Sequence, residues 1–534
     1  MKKLFISALC LATFWSCANS EDTPPQAEAG NVYMQFSLKM ETTRSATDEN
    51  AGETNSNANP DYEVGFDREN KVSSVDIELH NVADPTNVVV ADNVIPTTAA
   101  TDTYVASFTS MNLKPNATYN VYIYANGQSQ QNVDAIYNVT DADVTKSIAA
   151  DNSFLMTNAY EAKDYAVILP TDLSLYTQVN TPLNLGSHYV ERAAARFDYK
   201  TVKTDNKYTV GKDSAGATTV QVQLTHAALV NMSKAFYYLR RVSADGTATD
   251  AVVGGVETPA NYVVDTDYAA KNAVNKNTAA TLSASNFYYS MTNPTAWSWD
   301  SLAGLTNADN YTDTPYGAYN IWRYAVENTI PGDVSHQVNG ISTGVVFKGN
   351  LVATDNAPES LKTALASKKK VYVYNNVLYG TWADVKTAAE AKKDDVLVNP
   401  ELTAAYNQAI VGMTENATDP VVATAAAAGF TGYAYSEDAN GYEVLYYYWN
   451  RHNDNGDNAI MGKMEFAVVR NNVYKLAVDN ISRFGHPYNP DPNNPENPDP
   501  DPVDPTDPDE ELNYYFNVTV KVLPWVVRVN HIEF

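Results

Sequence analysis

Apolar and polar residues alternate near the N-terminus, in the stretch NVYMQFSLKMETTR at residues 31–44. The apolar members of this pattern are Val32, Met34, Phe36, Leu38 and Met40. A period of two predicts a β-strand with one buried face. Arg44 and the polar tract SATDENAGETNSNANP follow directly, and such a composition is typical of chain that is open to proteolysis. The sequence therefore predicts a core strand beside a candidate cleavage segment.

Similar strand patterns recur along the chain, and we expect a mainly β protein. The predicted strands lie at residues 71–80, 103–111, 118–126, 164–170, 188–202 and 218–229. A new run of alternating segments begins near residue 188, which predicts a domain boundary there. Short helices are predicted in the second domain, at residues 359–369, 383–393, 401–411 and 419–429.

The composition changes most clearly near the C-terminus. Residues 487–511 carry Pro or an acidic residue at most positions, which predicts an extended spacer that spans roughly 75 Å at about 3.1 Å per residue. After it, Phe516, Val518, Val520 and Val522 alternate with polar residues. Pro524 lacks the N–H that a strand ladder needs, and a second strand-like run extends from Trp525 to Ile532. The chain is thus expected to end in two apolar strands on a tether.

Charge and composition narrow the classes of partner. The 534 residues include 36 Lys and Arg against 63 Asp and Glu, a net charge of −27. A nucleic-acid partner is therefore disfavoured, because a surface this acidic repels phosphates. The abundance of Tyr, Thr, Val and Asn suits sheets joined by polar loops.

The N-terminus has the pattern of an export signal. A basic MKK precedes the short apolar run LFISALCLATFW, and Cys17 follows within WSCANSED. This arrangement resembles a bacterial lipoprotein signal in which Cys17 becomes the lipidated first residue; the alternative is an ordinary secretory signal. Cys10 lies in the segment to be removed, so we expect no disulfide, metal-binding or catalytic thiol in the mature domains.

Motifs for catalysis or cofactor binding are weak, and we expect no enzyme, cofactor or metal. GISTG at residues 340–344 fits G-x-S-x-G around Ser342, but the residues after it read as a strand rather than the required helix. GDNAIMGKM at 456–464 misses the phosphate-loop spacing, and RHNDNGDN at 451–458 lacks the first ligand and the closing Glu of a calcium loop. The histidines form no H-x-x-x-H pair.

Further segments recur in a fixed order along the chain: ANPDYEVGF (58–66), VERAAARFDY (190–199), VLYYYWN (444–450), VVRNNVYKLAVDNISRFG (468–485) and VTVKVLPW (518–525). Together with the lipoprotein signal, the strand that ends at Arg44 and the Pro/Asp spacer, this ordered set resembles the Bacteroidales type V pilins, or fimbrilins. Among them, it is most similar to the shaft subunits of Porphyromonas-type minor fimbriae.

The resemblance implies two transthyretin-like β-sandwich domains and a route of assembly. It divides the chain into a signal peptide (1–16), a lipidated propeptide (17–44), an N-terminal domain (45–187), a C-terminal domain (188–486), a linker (487–512) and C-terminal donor strands (513–534). A protease that cuts between Arg44 and Ser45 would remove the first strand, and a C-terminal strand of another copy would replace it. The donor residues it implies are Phe516, Val518, Val520, Val522, Leu523 and Trp525.

The resemblance also implies a location and a set of partners. The precursor would be lipidated at the outer membrane, and the mature chain would lie in surface fimbriae that support adhesion and biofilm formation. The partners would be other copies of the chain, accessory anchor and tip subunits, an arginine-specific maturation protease, and host or bacterial surface receptors.

The residues alone leave alternatives open. The strand at 31–44 can be a permanent first strand, and the terminal strands can fold back onto their own second domain. A glycan-binding lipoprotein with β-sandwich domains, whose Trp and Tyr residues stack on sugars, has the same signal. An anchor or tip subunit of the same fimbrial system is a further alternative, and the sequence does not select which terminal strand is the donor.

Overall fold

The protein is described from a computed structural model. The structure describes residues 31–40, 65–100, 103–203, 205–247, 249–255, 261–305, 311–313, 317–374, 376–391, 430–453, 455, 457, 461–488, 503–510, 518–519, 521–524 and 527–533.

The strands of the first region of the chain belong mostly to one mixed sheet. Their bounds are β1 Val32–Met40, β2 Val75–Asn81, β3 Val88–Val94, β4 Thr97–Ala100, β5 Thr103–Ser110, β6 Thr118–Ala125, β7 Ile136–Asn138, β8 Ala149–Ala150, β9 Ser153–Phe154, β10 Met156–Asn158, β11 Val167–Ile168 and β12 Leu183–Arg192. The order in the sheet is β3, β2, β6, β10, β12, β1, β5, β4, and β11 pairs with β6. β3 also contacts β5, so the sheet bends back on itself and encloses a core.

The strands of the second region form two larger sheets, two three-stranded sheets and short pairs, one of which joins β17 to β7 of the first region. Their bounds are β13 Ala194–Lys200, β14 Lys207–Lys212, β15 Thr218–Val230, β16 Met232–Ser233, β17 Ala235–Tyr237, β18 Arg241–Ser243, β19 Val252–Val253, β20 Tyr262–Val263, β21 Phe287–Tyr288, β22 Asp300–Ser301, β23 Tyr311–Asp313, β24 Gly317–Val326, β25 Gly344–Ala353, β26 Val371–Tyr374, β27 Val377–Tyr379, β28 Phe430–Tyr433, β29 Glu443–Trp449, β30 Asn472–Asn480, β31 His486–Pro487, β32 Val518–Thr519, β33 Lys521–Pro524 and β34 Val527–Glu533.

One of these sheets has the order β23, β24, β13, β30, β34, β32, with β33 beside β30. The other has the order β14, β15, β25, β29, β31, with β22 beside β15. Apolar residues of the two sheets share a core, as the contact of the Tyr199 and Phe347 rings illustrates, with centroids 5.9 Å apart. The two regions meet at Ala193, where β12 of the first sheet leads into β13 of the second. That junction lies within the strand-rich stretch in which the sequence predicts a boundary.

The α-helices are short. They are α1 Asp67–Asn70, α2 Tyr268–Lys271, α3 Ala279–Asn286, α4 Glu359–Ala366 and α5 Trp382–Ala391. α4 and α5 match two of the predicted helices, whereas the helices predicted at 401–411 and 419–429 lie outside the described residues. Among the described residues, no helix is long and apolar enough to cross a membrane.

The prediction of a mainly β fold is confirmed, with one local difference. Residues 164–170 were expected to form a strand, but the 3-10 helix Ala162–Tyr165 leads into the two-residue strand β11. Tyr165 and Leu169 of this stretch are buried, whereas Ile168 is 74% exposed. The strand predicted at residues 164–170 is therefore present only as the two residues of β11.

Candidate functional site

The N-terminal strand β1 lies inside its sheet, with a neighbour on each side. On one side it pairs antiparallel with β5, from Val32 opposite Ser110 to Lys39 opposite Thr103. On the other side it runs parallel to β12, from Met34 opposite Leu183 to Met40 opposite Val190. β1 therefore fills a slot whose two walls are the backbone edges of β5 and β12.

A bulge in β12 adjusts the register along β1. Gln35 lies opposite Asn184 and Ser37 lies opposite Ser187, so β12 has one residue more than β1 in this interval. Gly186 lies in the bulge with a φ of +91°, a conformation that favours glycine, and its N–H donates to the Asn184 side chain at 2.9 Å. The bulge therefore sets the register of β1 against β12.

The side chains of β1 follow the predicted alternation along its whole length. The five apolar residues predicted to face the core are all buried: Val32, Met34, Phe36, Leu38 and Met40. The residues between them are half-buried. The predicted buried face of the first strand is therefore present in the structure.

Phe36 contacts two other aromatic rings in this slot. Its ring lies edge-on to His188 of β12 with centroids 5.3 Å apart, and to Phe108 of β5 with centroids 6.2 Å apart. Burial lowers the pKa of His188 to about 4, while its Nε2 lies 3.1 Å from the Leu185 carbonyl oxygen. The imidazole is therefore neutral near pH 7, so it adds no charge to the floor of the slot.

A buried ion-pair network joins α1 to the second region of the chain. The Arg196 guanidinium binds the Glu69 carboxylate at 2.9 Å and the Asp198 carboxylate at 2.9 Å. The Tyr324 hydroxyl donates to Glu69 at 2.6 Å, and burial beside this carboxylate raises the pKa of Tyr324. α1 is therefore fixed to β13 and β24, a short distance along the chain after the predicted cleavage position.

Arg196 and Asp198 lie within the segment VERAAARFDY, and the sequence predicted no contact for either residue. The sequence could have indicated that these two side chains are in contact, because they are oppositely charged and lie at alternate positions of an otherwise apolar strand. Side chains at alternate positions of a strand point to the same face. Glu69, the other carboxylate that binds Arg196, lies more than a hundred residues away in sequence, so only the fold brings it into contact.

The C-terminal strands lie against the second region in this structure. β34 runs parallel to β30, from Val527 opposite Val473 to Glu533 opposite Asn480. β33 approaches β30 where Pro524 faces Asn472, and β32 pairs with β34. The backbone therefore follows the fold-back arrangement that the sequence left open, and Pro524 is the last residue of β33.

Several predicted site residues lie outside the described part of the chain: Cys17, Arg44, Ser45, Phe516, Val520 and Trp525. Val518 lies in β32, and Val522 and Leu523 lie in β33. The structure thus brings together the five residues of the first strand, while the roles of Cys17, Arg44 and the donor residues stay predictions.

The predicted spacer contains a segment that is packed rather than free. Residues 503–510 lie against residues 337–342 of the second region, and Asp509 is only 1% exposed. The expectation of a solvated tether throughout does not hold for these residues, because their backbone and acidic side chains find hydrogen-bond partners. The sequence Asp504-Pro-Thr-Asp507 is typical of a turn, and it was the feature that could have indicated ordered structure in this segment.

Ser342 of the GISTG motif belongs to this packed surface. It is fully buried, and its hydroxyl donates to the Asp509 carboxylate at 2.5 Å. The strand β25 begins at Gly344, the last residue of the motif, so a strand rather than a helix follows Ser342, as the sequence predicted. Within the described ranges, no group of three or more His, Cys, Asp and Glu side chains is arranged to hold a metal ion.

The chain is similar to several solved structures from Porphyromonas and Bacteroides species. They include the tip fimbrial protein Mfa3 of Porphyromonas gingivalis (9% identity, TM-score 0.32, 84% of this chain and 94% of that chain covered). A fimbrilin (FimA) of Porphyromonas gingivalis W83 has 14% identity and a TM-score of 0.30, with 89% and 95% covered. A proposed cell adhesion protein of Bacteroides eggerthii has 10% identity and a TM-score of 0.33, with 96% and 99% covered.

The family comparison concerns the C-terminal part of the chain. No curated protein sequence matches the chain significantly. Residues 440–531 match the family described as major fimbrial subunit protein type IV, fimbrillin, C-terminal. The matched span includes β29, β30, the packed segment 503–510 and most of β34. Residues 440–531 are therefore similar to the C-terminal region of the fimbrillins, which confirms the resemblance that the sequence predicted.

Proposed function

We propose that this chain is a structural subunit of surface fimbriae that polymerises by strand exchange. The observation that carries the proposal is the position of β1, an N-terminal strand paired on both edges and followed by a segment containing Arg44. In the proposed route, cleavage after Arg44 separates β1 from the rest of the chain. A C-terminal strand of another copy then takes the slot between β5 and β12.

The energetics of the slot favour replacement over an empty groove. Burial of the five apolar side chains of β1 contributes roughly 8–15 kcal/mol, before the entropy of ordering the strand is subtracted. Loss of β1 without replacement would expose the apolar core and unpair the backbone groups of β5 and β12. An empty slot therefore creates a strong tendency to associate with another strand.

The C-terminal segment has the matching pattern. Phe516, Val518, Val520 and Val522 repeat at the same period of two as the buried residues of β1. Leu523 and Trp525 complete the candidate donor set around Pro524. Because donor and acceptor surfaces differ, the contact is head-to-tail and builds an open filament rather than a closed dimer.

The maturation steps complete the proposal. The precursor reaches the outer membrane with a lipid on Cys17, and a protease that cuts between Arg44 and Ser45 releases the mature chain into the fimbria. Anchor and tip subunits bind the ends of the filament, and surface receptors on host or bacterial cells are the targets in adhesion and biofilm formation. None of these steps requires a catalytic residue or a cofactor of this chain.

Limited proteolysis tests the proposal directly. Between Met40 and Gly65, Arg44 is the only Arg or Lys, so trypsin at limiting dose has one cleavage position in this segment. We expect purified, delipidated precursor to acquire an N-terminus at Ser45 and to form a ladder of oligomers on an unheated denaturing gel. The ladder collapses on boiling, because the strands are held without covalent bonds.

Two variants serve as controls. Arg44→Gln should stay uncut and monomeric, and deletion of residues 513–534 should permit cleavage but abolish the ladder. A clean cut at Arg44 that leaves a monomer would contradict strand exchange. A chain that stays lipidated, uncut and monomeric in the cell would instead support the glycan-binding lipoprotein, and a lipidated chain that retains β1 within a fimbria would support the anchor subunit.

A further inference from the structure

The segment 503–510, here named the clasp, lies against residues 337–342, here named the docking loop. The Gly340 N–H donates to the Pro505 carbonyl at 2.9 Å, and the Asn339 N–H donates to the Asp507 carbonyl at 3.0 Å. In the other direction, the Asp509 N–H donates to the Gln337 carbonyl at 3.2 Å. The clasp thus pairs with the docking loop by backbone bonds in both directions, as an added strand does.

The clasp also contains its own turn. The Asp504 carboxylate accepts hydrogen bonds from the Thr506 N–H at 2.8 Å and from the Thr506 hydroxyl at 2.7 Å. The Asp507 N–H closes the turn on the Asp504 carbonyl at 3.0 Å. Because these bonds are local, the turn reduces the entropy that the segment loses when it docks.

Side chains at both ends of the clasp find partners in the second region. The Ser342 hydroxyl donates to Asp509 at 2.5 Å, and the Arg451 guanidinium donates to Glu510 at 2.7 Å. Arg451 also pairs with Glu465, so it bridges the clasp to the chain after β29. At the other end, Val503 packs against an apolar cluster that includes Tyr447.

Gly340 provides the close approach that docking needs. A Cβ built on Gly340 would lie 2.8 Å from the Pro505 carbonyl oxygen and 3.2 Å from the Ala279 carbonyl oxygen. The first distance is shorter than real Cβ contacts, so a side chain at position 340 would displace the clasp. The docking loop is therefore shaped to receive Pro505.

From these contacts, we propose that the clasp binds the docking loop of its own chain and stays bound when the terminal strands are donated. The inference rests on the proposed function, because it concerns how the donor segment is held. With the clasp docked, the chain between Glu510 and Phe516 spans roughly 20 Å at most, at ~3.5 Å per residue. A tether that starts at residue 487 would reach several times farther.

A short tether changes the assembly that it can build. It raises the effective concentration of the donor near a slot that lies within reach, and it excludes slots that lie beyond. It also limits how far neighbouring subunits can rotate relative to each other. The clasp would thus give the filament a defined spacing between subunits and a high bending stiffness.

The first experiment measures docking without any polymerisation. Hydrogen exchange followed by mass spectrometry on uncut full-length precursor should show residues 503–510 protected. Gly340→Ala should raise their exchange rate at least tenfold, whereas Gly304→Ala, at an exposed glycine whose nearest neighbour lies 3.7 Å from a built Cβ, should not. Asp504→Ala is a second variant that loosens the turn from an exposed position and leaves the docking loop intact.

The proposal that the clasp docks would be overturned if residues 503–510 exchanged without protection in the unaltered chain. Equal exchange in the unaltered chain and in both the Gly340→Ala and Asp504→Ala variants would also overturn it. Because Asp504→Ala changes only the clasp itself, a folding failure of Gly340→Ala would leave this comparison available.

The second experiment asks whether the clasp holds in the filament. A segment of six Gly and Ser residues is inserted at one of two positions. It is placed either upstream of the clasp, after residue 495, or downstream of it, after residue 512. The upstream insertion should leave polymer yield and subunit spacing unchanged, whereas the downstream insertion should lower the persistence length of the filaments in electron micrographs at least twofold. Equal effects of the two insertions overturn the inference. Failure of the unaltered chain to polymerise refutes the proposed function instead. In that case, the hydrogen-exchange experiment still tests whether the clasp docks.

Discussion

Phe36 of β1 packs edge-on against His188 of β12, with ring centroids 5.3 Å apart. The contact joins the strand that the proposed cleavage releases to a wall of the slot that remains. Both side chains are almost fully buried. This pair therefore affects both the stability of the precursor and the side chains that line the slot after β1 has left.

Phe36→Ala should destabilise the precursor but not the mature polymer. Removal of a buried Phe side chain costs about 3–5 kcal/mol, so the urea midpoint of the precursor should fall clearly. Gln35→Ala, on the half-buried face of the same strand, is the matched control and should cost under about 1 kcal/mol. An equal loss in polymers assembled after cleavage would mean that β1 stays in its slot.

Acid should weaken the first region through His188. Its pKa is about 4 in the folded chain against an ordinary value of 6.5, so the unfolded state binds more protons between these pH values. Stability is therefore full above pH 6.5 and falls by roughly 3 kcal/mol as the pH drops to 4.

Urea midpoints of the unaltered chain and of His188→Phe, measured between pH 4.5 and 7, test this dependence. The variant should show the flatter profile. His486, whose pKa burial also lowers to about 4, is present in both chains, so the difference between the two profiles isolates His188. Parallel profiles would contradict the assignment.

Glu69→Gln should loosen the connection between α1 and the second region. The change leaves the buried Arg196 without one of its two carboxylates, and breaking a buried ion pair costs about 3–5 kcal/mol. Glu359→Gln is the control, because Glu359 pairs with Lys362 on the surface and its side chain is 83% exposed. Thermal unfolding should separate the two variants, and a similar small shift in both would contradict a structural role for the network.

Docking of the clasp should weaken as the pH rises. Burial, together with the charge of Glu510, raises the pKa of Asp509 to about 8, while Ser342 and Arg451 act in the opposite direction and Glu465 adds to the rise. The docked state therefore binds more protons than the free segment between about pH 4 and 8, and docking loses stability across this interval.

Asp509→Asn should remove this dependence, because the amide is neutral at every pH in the interval. Hydrogen exchange of residues 503–510, corrected for intrinsic chemical rates, should show a protection factor in the unaltered chain that falls at least tenfold from pH 5.5 to pH 8. The variant should keep its protection at pH 8. The same fall in both chains would show that another group controls docking.

Features of the fold that depend on residues close together in the chain could be predicted from the sequence pattern. The alternation of Val32, Met34, Phe36, Leu38 and Met40 predicted both the strand and its buried face, because successive side chains of a strand point to opposite sides. The same period predicted β5, β6 and β15 nearly to their ends. Helices α4 and α5 and the mainly β class also followed from composition and pattern.

Only the tertiary structure decided which segments meet. The sequence did not indicate that β1 lies between β5 and β12, that Glu69 reaches Arg196, or that Asp509 is buried against Ser342. Each of these contacts joins residues far apart in the chain, and its stability depends on desolvation and backbone pairing that exist only after folding. The composition of residues 487–512 predicted a solvated tether, because Pro and Asp disfavour a core on their own. The docking loop overrides that tendency over residues 503–510, since it supplies the hydrogen-bond partners that the segment cannot provide for itself.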